Sequence, residues 1–278
     1  MANVTISTGV RANLISLQQT ANMMSETQNR LATGKKVNSA LDNPNSFFTA
    51  AGLNDRASDL STLLDDMGQA VQTLKAADEG IKSITSLVEA AKAKANQAAQ
   101  SSSNTDRAKF AGEYNELLTQ IQGIAKDSGY KGKNLLDGDS LSVTFNEKVG
   151  TEKNSLSISG VSYAADGALS LTEVADGGWD TGDTGDAAIE DTLSSLTNAL
   201  TSLRTQASTF GTNLTVVENR QNFTKNMINT LQEGADSLVN ADSNEEGAKL
   251  LALQTRQSLA STALSLASQA EQNVLRLF

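Results

Sequence analysis

The side chains that carry most enzymatic chemistry are missing from this sequence, which contains no His and no Cys. Imidazole general bases, thiol nucleophiles, ordinary zinc sites, haem ligation and disulfides are thereby excluded. Chemistry would have to come from Asp, Glu, Lys, Ser, Thr and Tyr. A carboxylate-only metal site or a Ser–Lys pair is compatible with that set, but no motif for either is present. The Gly-rich middle of the chain lacks phosphate-loop spacing. The sequence therefore predicts no catalytic, cofactor-binding or metal-binding residue. A cysteine-free chain also suits exposure outside the cell, where free thiols are a liability.

Charge narrows the partners. A net charge of −10 and a pI near 4.6 argue against nucleic acid and anionic membranes. No stretch has the apolar length that spans a bilayer. The start, MANVTISTGVRANLISL, has no basic leader, no continuous apolar core and no small-residue cleavage site. A Sec-type signal is not expected there, so the chain should stay inside or leave by a route that reads an uncleaved terminus.

With no site to position, the elements themselves become the function-bearing feature. Pro44 is the single proline, hydrophobic residues make up 38 % and aromatics 4 %. That composition predicts long helices burying thin apolar stripes rather than a thick core. Val10, Leu14, Leu17, Ala21, Met24 and Leu31 recur at helical steps near the start. A second stripe runs from Leu60 through Met67, Leu74, Ile81, Ile84 and Val88 to Ala98, and a third from Phe110 to Ile124. The longest runs from Ile189 to Leu238 in alternating steps of four and three, the a/d seam of a coiled coil. Leu259, Ala263, Leu266, Ala270, Val274 and Leu277 continue the theme.

The middle is different in kind. From Leu135 to about Gly185 the helical period disappears, and Leu141–Phe145 and Leu156–Ser159 alternate apolar with polar as half-buried strands of a hairpin do. Between Asp166 and Asp191 there are eight acidic residues, the pattern of a solvated face. The two ends carry almost no charge. Arg11 is the one charged side chain in residues 1–25, and Arg256, Glu271 and Arg276 are the ones in 250–278. Uncharged polar faces fit helices packed on several sides, where unpaired charge would be costly. Neither end should fold stably alone.

Residues 30–49, RLATGKKVNSALDNPNSFFT, resemble the N-terminal element of bacterial flagellins, with Arg30, Leu31, Gly34, Asn38 and Asp42 matching its pattern. The closing SLASTALSLASQAEQNVLRLF is similar to that family's last helix. Phe210-Gly-Thr-Asn with Glu218-Asn-Arg resembles the entry to its C-terminal helices, and Gly129-Tyr-Lys-Gly-Lys-Asn-Leu-Leu its central turn. The resemblance implies a mainly α fold. Its parts would be an inner coiled-coil domain of antiparallel ends (1–42 with 239–278), a helical rod domain (43–140 with 186–238) and a small β-rich outer excursion (141–185). It implies a short flagellin, exported through the type III apparatus and polymerising into the extracellular filament of the flagellum. Val10, Leu14, Leu17, Met24 and Leu31 would pack against Leu259, Ala263, Leu266, Ala270, Val274 and Leu277 as subunits assemble. Implied partners are further copies of the chain, an export chaperone, and cap and hook-associated proteins, with outer Ser and Thr as candidate O-glycan acceptors.

The family's patch for vertebrate Toll-like receptors would fall on Glu89, Ala93 and Glu113. The family's Arg and Leu are replaced at the first two, which predicts poor receptor activation. A hook–filament junction protein shares both terminal elements and is the nearest alternative. A coiled-coil secreted adhesin is the next, although it would be expected to carry a binding module.

Overall fold

The computed structural model describes residues 8–163 and 167–275, the side chains of 271–275 excepted. Among the described residues five α-helices dominate: α1 (Thr8–Thr33), α2 (Pro44–Gln100), α3 (Asn104–Asp127), α4 (Asp183–Val239) and α5 (Ser243–Leu275). One antiparallel hairpin, β1 (Ser140–Thr144) with β2 (Ser155–Ser159), lies between α3 and α4. The fold is mainly α, with the hairpin where the sequence alternation placed it. No helix is long and apolar enough to cross a membrane among the described residues. The chain divides into two compact units, Arg56–Asn229 and a terminal unit made from the chain up to Asp55 and from Thr230 onward.

The unit spanning 56–229 is built on α2, α3 and α4. Met67, Leu74, Ile81, Ile84 and Val88 of α2 are almost fully buried, and Ala91, Ala95 and Ala98 extend the stripe with small side chains. Tyr114, Leu118 and Ile121 of α3 and Ile189, Leu196, Leu203, Phe210 and Val217 of α4 join the same core. The expected α3 stripe is shifted slightly: Phe110, Leu117 and Ile124 are only partly buried, and Ala111, Leu118 and Ala125 hold the deeper positions. α3 starts where Ser103 accepts from the Asp106 N–H, an N-cap, and Asp106 sits in the positive first turn. Its far end is closed by Asn134, whose amide donates to the carbonyls of Ala125 and Lys126 at 2.8 and 2.9 Å. Those carbonyls have no partner within the helix, so the cap satisfies what the helix end leaves open.

The hairpin register pairs Leu141 with Ile158 and Val143 with Leu156. Those four share one face and the serines the other, so Val143 and Ile158 are buried while Ser140, Ser142 and Ser157 are exposed. The irregular stretch that follows places Tyr163, Leu169, Leu171 and Trp179 in the same core as the helices. Asn115 holds it as a backbone would, donating to Val174 O and accepting from Val174 N, both at 2.9 Å. Arg107 is 5 % exposed and reaches Ser101 O, Trp179 O, Asp180 O and the Asp186 carboxylate at 2.6 Å. Between Thr172 and Asp186 this segment is tied to α3 through Tyr114, Asn115 and Arg107.

Candidate assembly surface

The terminal unit is organised around a joint between two connections. α1 ends at Gly34, whose φ of +69° is the left-handed conformation that closes many helices and that glycine adopts without strain. The chain then runs beside the link between α4 and α5. Lys36 and Val37 donate to Val239 O at 2.8 and 3.2 Å, and Ala241 donates to Gly34 O at 2.9 Å. Asp42 folds the next turn by accepting the N–H groups of Asn38 and Ser39, both at 2.9 Å. These bonds hold its carboxyl below the usual carboxylate range. Asn43 then accepts from the Ser46 N–H, and Pro44 takes the first helical position, where its missing N–H costs nothing.

Arg30 completes the joint. It pairs with Glu26 one turn earlier and with Glu246 of α5 at 3.4 Å. Glu246 is 5 % exposed, and Lys249 lies 3.3 Å away on its own helix. Burial pushes this carboxyl up, but Lys249 and Arg30 outweigh that and hold it below its ordinary value. The five residues of the N-terminal motif thus have distinct local roles. Arg30 binds across to α5, Leu31 packs half-buried beside it, Gly34 ends the helix, and Asn38 and Asp42 shape the turn.

α1 and α5 pack against each other from this joint outward. On α1 the covered face runs Val10, Asn13, Leu17, Thr20, Met24, Thr27 and Leu31 in steps of three and four. Thr20 and Thr27 are its deepest residues, and sequence reasoning passed over both because it followed only apolar side chains. Thr20 is a tolerable core residue because its hydroxyl donates to Ser16 O at 2.9 Å. On α5 the covered face is Leu250, Leu253, Gln257, Ala260, Leu264 and Ala267.

The expected α5 stripe is a different face. Leu259 is 68 % exposed, Leu266 is 62 % exposed, and Ala263 and Ala270 are exposed as well. The structure therefore does not bring these four together with Val10, Leu17, Met24 and Leu31 inside one subunit. The physical reason is that α5 is apolar on more than one side, so periodicity alone cannot choose which side meets α1. Leu14, expected in the α1 stripe, is 49 % exposed, beside Ile15 at 50 %. The side chain of Val274 and the whole of Leu277 lie outside the described residues. Leu14, Ile15, Leu259 and Leu266 are thus exposed apolar side chains on α1 and α5.

The remaining singled-out residues lie in the other unit. Glu89 and Ala93 are exposed on α2, and Glu113 on α3 is half-buried in an ion pair with Lys94 at 2.6 Å. Lys94 holds the Glu113 carboxyl below its ordinary value. Among the described residues no group of acidic side chains could hold a metal ion.

A family model of the bacterial flagellin N-terminal helical region matches residues 6–140, and one of the C-terminal helical region matches 193–278. The chain belongs to the bacterial flagellin family. It is a structural subunit of the flagellar filament, from a family that self-polymerises. The similarity to several individual flagellins extends over nearly their full length. A flagellin of Brucella melitensis is 27 % identical, aligned over 100 % of this chain and 99 % of that one. Flagellin FljK of Caulobacter vibrioides is 29 % identical over 99 % and 98 %. A crystal structure of Bacillus cereus flagellin shows a partial likeness at 21 % identity and a TM-score of 0.45, covering 57 % of this chain and 88 % of that one.

Proposed function

We propose that filament growth is driven by burial of the second apolar face of the terminal helices against neighbouring subunits. The observation that carries this is the exposure of Leu259 and Leu266, with Leu14 and Ile15, on helix stretches whose polar positions are mostly Ser, Thr, Asn and Gln. Burying one such leucine contributes about 1.5–3 kcal/mol. Repeated along α1 and α5, that gain offsets part of what ordering the ends costs. Val10, Leu17, Met24 and Leu31 act within the subunit, while Leu14, Leu259, Ala263, Leu266, Ala270, Val274 and Leu277 act between subunits. The inner part of the filament is then formed by residues 1–42 with 239–278, the rod by 43–140 with 186–238, and the outward part by 141–185. No step of this function is enzymatic.

The proposed life cycle follows from the family. A chain with such ends needs an export chaperone before assembly, leaves through the type III apparatus, and is joined at its ends by cap and hook-associated proteins. Outside the cell the Ser and Thr of 141–185 are candidate acceptors for O-glycans. Glu89 and Ala93 at the receptor patch leave innate-receptor activation weak, which a dose–response on receptor-expressing cells would overturn by a robust signal at low concentration. The test of the central reading is truncation of residues 1–30 or 249–278. Either deletion abolishes filaments and leaves the unit spanning 56–229 folded. Normal filaments from a truncated chain would refute the proposal, and failure of the intact chain to extend beyond short caps would favour a junction protein.

A further inference from the structure

Residues 175–182, between the bonds that Asn115 makes to Val174 and the start of α4, are fastened differently from the rest of their unit. Three of the eight are glycine, and Trp179 is the one large apolar side chain. Trp179 is buried beside Tyr114, Gly178 is half-buried, and the other six are exposed. Gly177 and Gly182 have φ of +73° and +126°, conformations that glycine alone adopts freely, so the chain can pivot at both. Two clefts, of about 280 and 230 Å³, border Val174, Ala175, Gly178 and Trp179. The stretch therefore lies on α3 as a strap anchored by one indole rather than as part of a close-packed layer.

What holds the strap down is polar and comes from the first turn of α3. Arg107 donates to Trp179 O at 3.4 Å and to Asp180 O at 3.3 Å, and Asn104 accepts the Thr181 N–H at 2.7 Å. The same guanidinium donates to Ser101 O at 2.7 Å and pairs with Asp186 of α4 at 2.6 Å. One buried side chain thus ties the link between α2 and α3, the strap and the start of α4. It also supplies a charge that the segment lacks. Eight carboxylates lie between Asp166 and Asp191, with no Lys or Arg between Lys153 and Arg204. Mutual repulsion of those carboxylates pushes the strap outward, and Arg107 opposes it.

We infer that residues 175–182 are a strap that Arg107 latches shut over Trp179, and that it opens as a unit while α3 and α4 stay folded. Ordering eight residues, three of them glycine, costs conformational entropy that a single indole offsets only in part. Without the guanidinium, the carbonyls of Trp179 and Asp180 lose their donor and regain one by turning to water. The open form bares the indole of Trp179 and the ring of Tyr114, which the closed form keeps dry. Arg107 is the positioning residue of this device. The seat of the strap is on α4: a methyl group at Gly185 would fall on Asp180 O, so the absence of a side chain there lets the strap close.

Two variants of the full chain open the strap by different routes. Arg107→Met removes the latch, and Gly185→Ala fills the seat with a residue that suits a helix better. Trp179 is the only tryptophan and no Cys competes, so alkylation by 2-hydroxy-5-nitrobenzyl bromide reads its exposure directly. At a fixed dose each variant is alkylated about fivefold more than the parent, while circular dichroism shows the parent's helix content. A tryptophan as protected as the parent's in either variant would overturn the inference. So would reactivity that appears only in step with lost helicity. Hydrogen exchange on the parent gives a reading that does not depend on the variants folding. The Thr181 N–H, bonded across to Asn104, exchanges about tenfold or more faster than the amides of Leu118 and Ile121 in α3. Exchange of Thr181 at the rate of those core amides would mean that the strap opens only when the whole unit unfolds, and the inference would fall.

Discussion

Single side chains in the terminal unit set its response to acid. Glu246 and Asp42 are both held below the ordinary carboxylate value, Glu246 by Lys249 and Arg30 against its own burial, Asp42 by the Ser39 and Asn38 N–H groups. A carboxyl depressed on folding stabilises the fold above its unfolded value and loses that contribution as pH falls through the folded one. The terminal unit should therefore loosen below about pH 4.5, the ordinary glutamate value. Glu246→Gln should flatten that acid limb and cost about 1 kcal/mol at neutral pH. Circular dichroism of parent and variant over an acid titration checks both, and an unchanged acid limb would remove Glu246 from the account. In the other unit Gly80, in the middle of α2, is closely confined by side chains. A methyl group there would fall on Ser128 Oγ and lie 2.6 Å from Leu136 Cδ1. Gly80→Ala should destabilise that unit by about 1–3 kcal/mol, measurable by denaturant unfolding.

At the scale of elements, α5 has two apolar faces with different consequences. Leu253→Ala removes a side chain from the face that meets α1, so it should lower helicity in the free subunit and cost about 2 kcal/mol or more. Leu259→Glu alters the exposed face, so it should leave the subunit's helicity unchanged and abolish filaments. Circular dichroism with sedimentation of the polymer separates the two outcomes, and loss of helicity in both variants would merge the faces. This is also where the sequence was least legible. The stripes of α2 and α4 could be traced almost residue by residue, because each has one narrow apolar line on a polar helix. The hairpin followed from strict alternation over Leu141–Phe145 and Leu156–Ser159. For α5, apolar residues occur on several sides and Ala is neutral between core and surface, so the period fits more than one register. The seam positions Thr20 and Thr27 were invisible for another reason. Thr20 can serve as a core residue because its hydroxyl donates to Ser16 O within the helix, which composition does not reveal. Arg107, with partners as distant in sequence as Asp186, shows the same limit.

At the scale of the whole molecule, like charge opposes assembly while the proposed contacts are nearly charge-free. With −10 on each copy, added salt should screen the repulsion and leave the apolar contacts in place. Polymerisation should therefore speed up between low and physiological ionic strength, as followed by light scattering. Slower growth in salt would point to ion pairs rather than apolar faces as the main contacts.

The distribution of chromophores adds one consequence. Trp179 is 2 % exposed against Tyr114, with ring centroids 5.2 Å apart, and the other tyrosines, Tyr130 and Tyr163, lie in the same unit. The terminal unit contains phenylalanine but neither tryptophan nor tyrosine. To a fluorimeter that excites tryptophan, the terminal unit is dark. Tryptophan emission follows the melting of residues 56–229 alone, while backbone ellipticity follows both units. The gap between the two melting curves isolates the terminal helices without a label or a mutation.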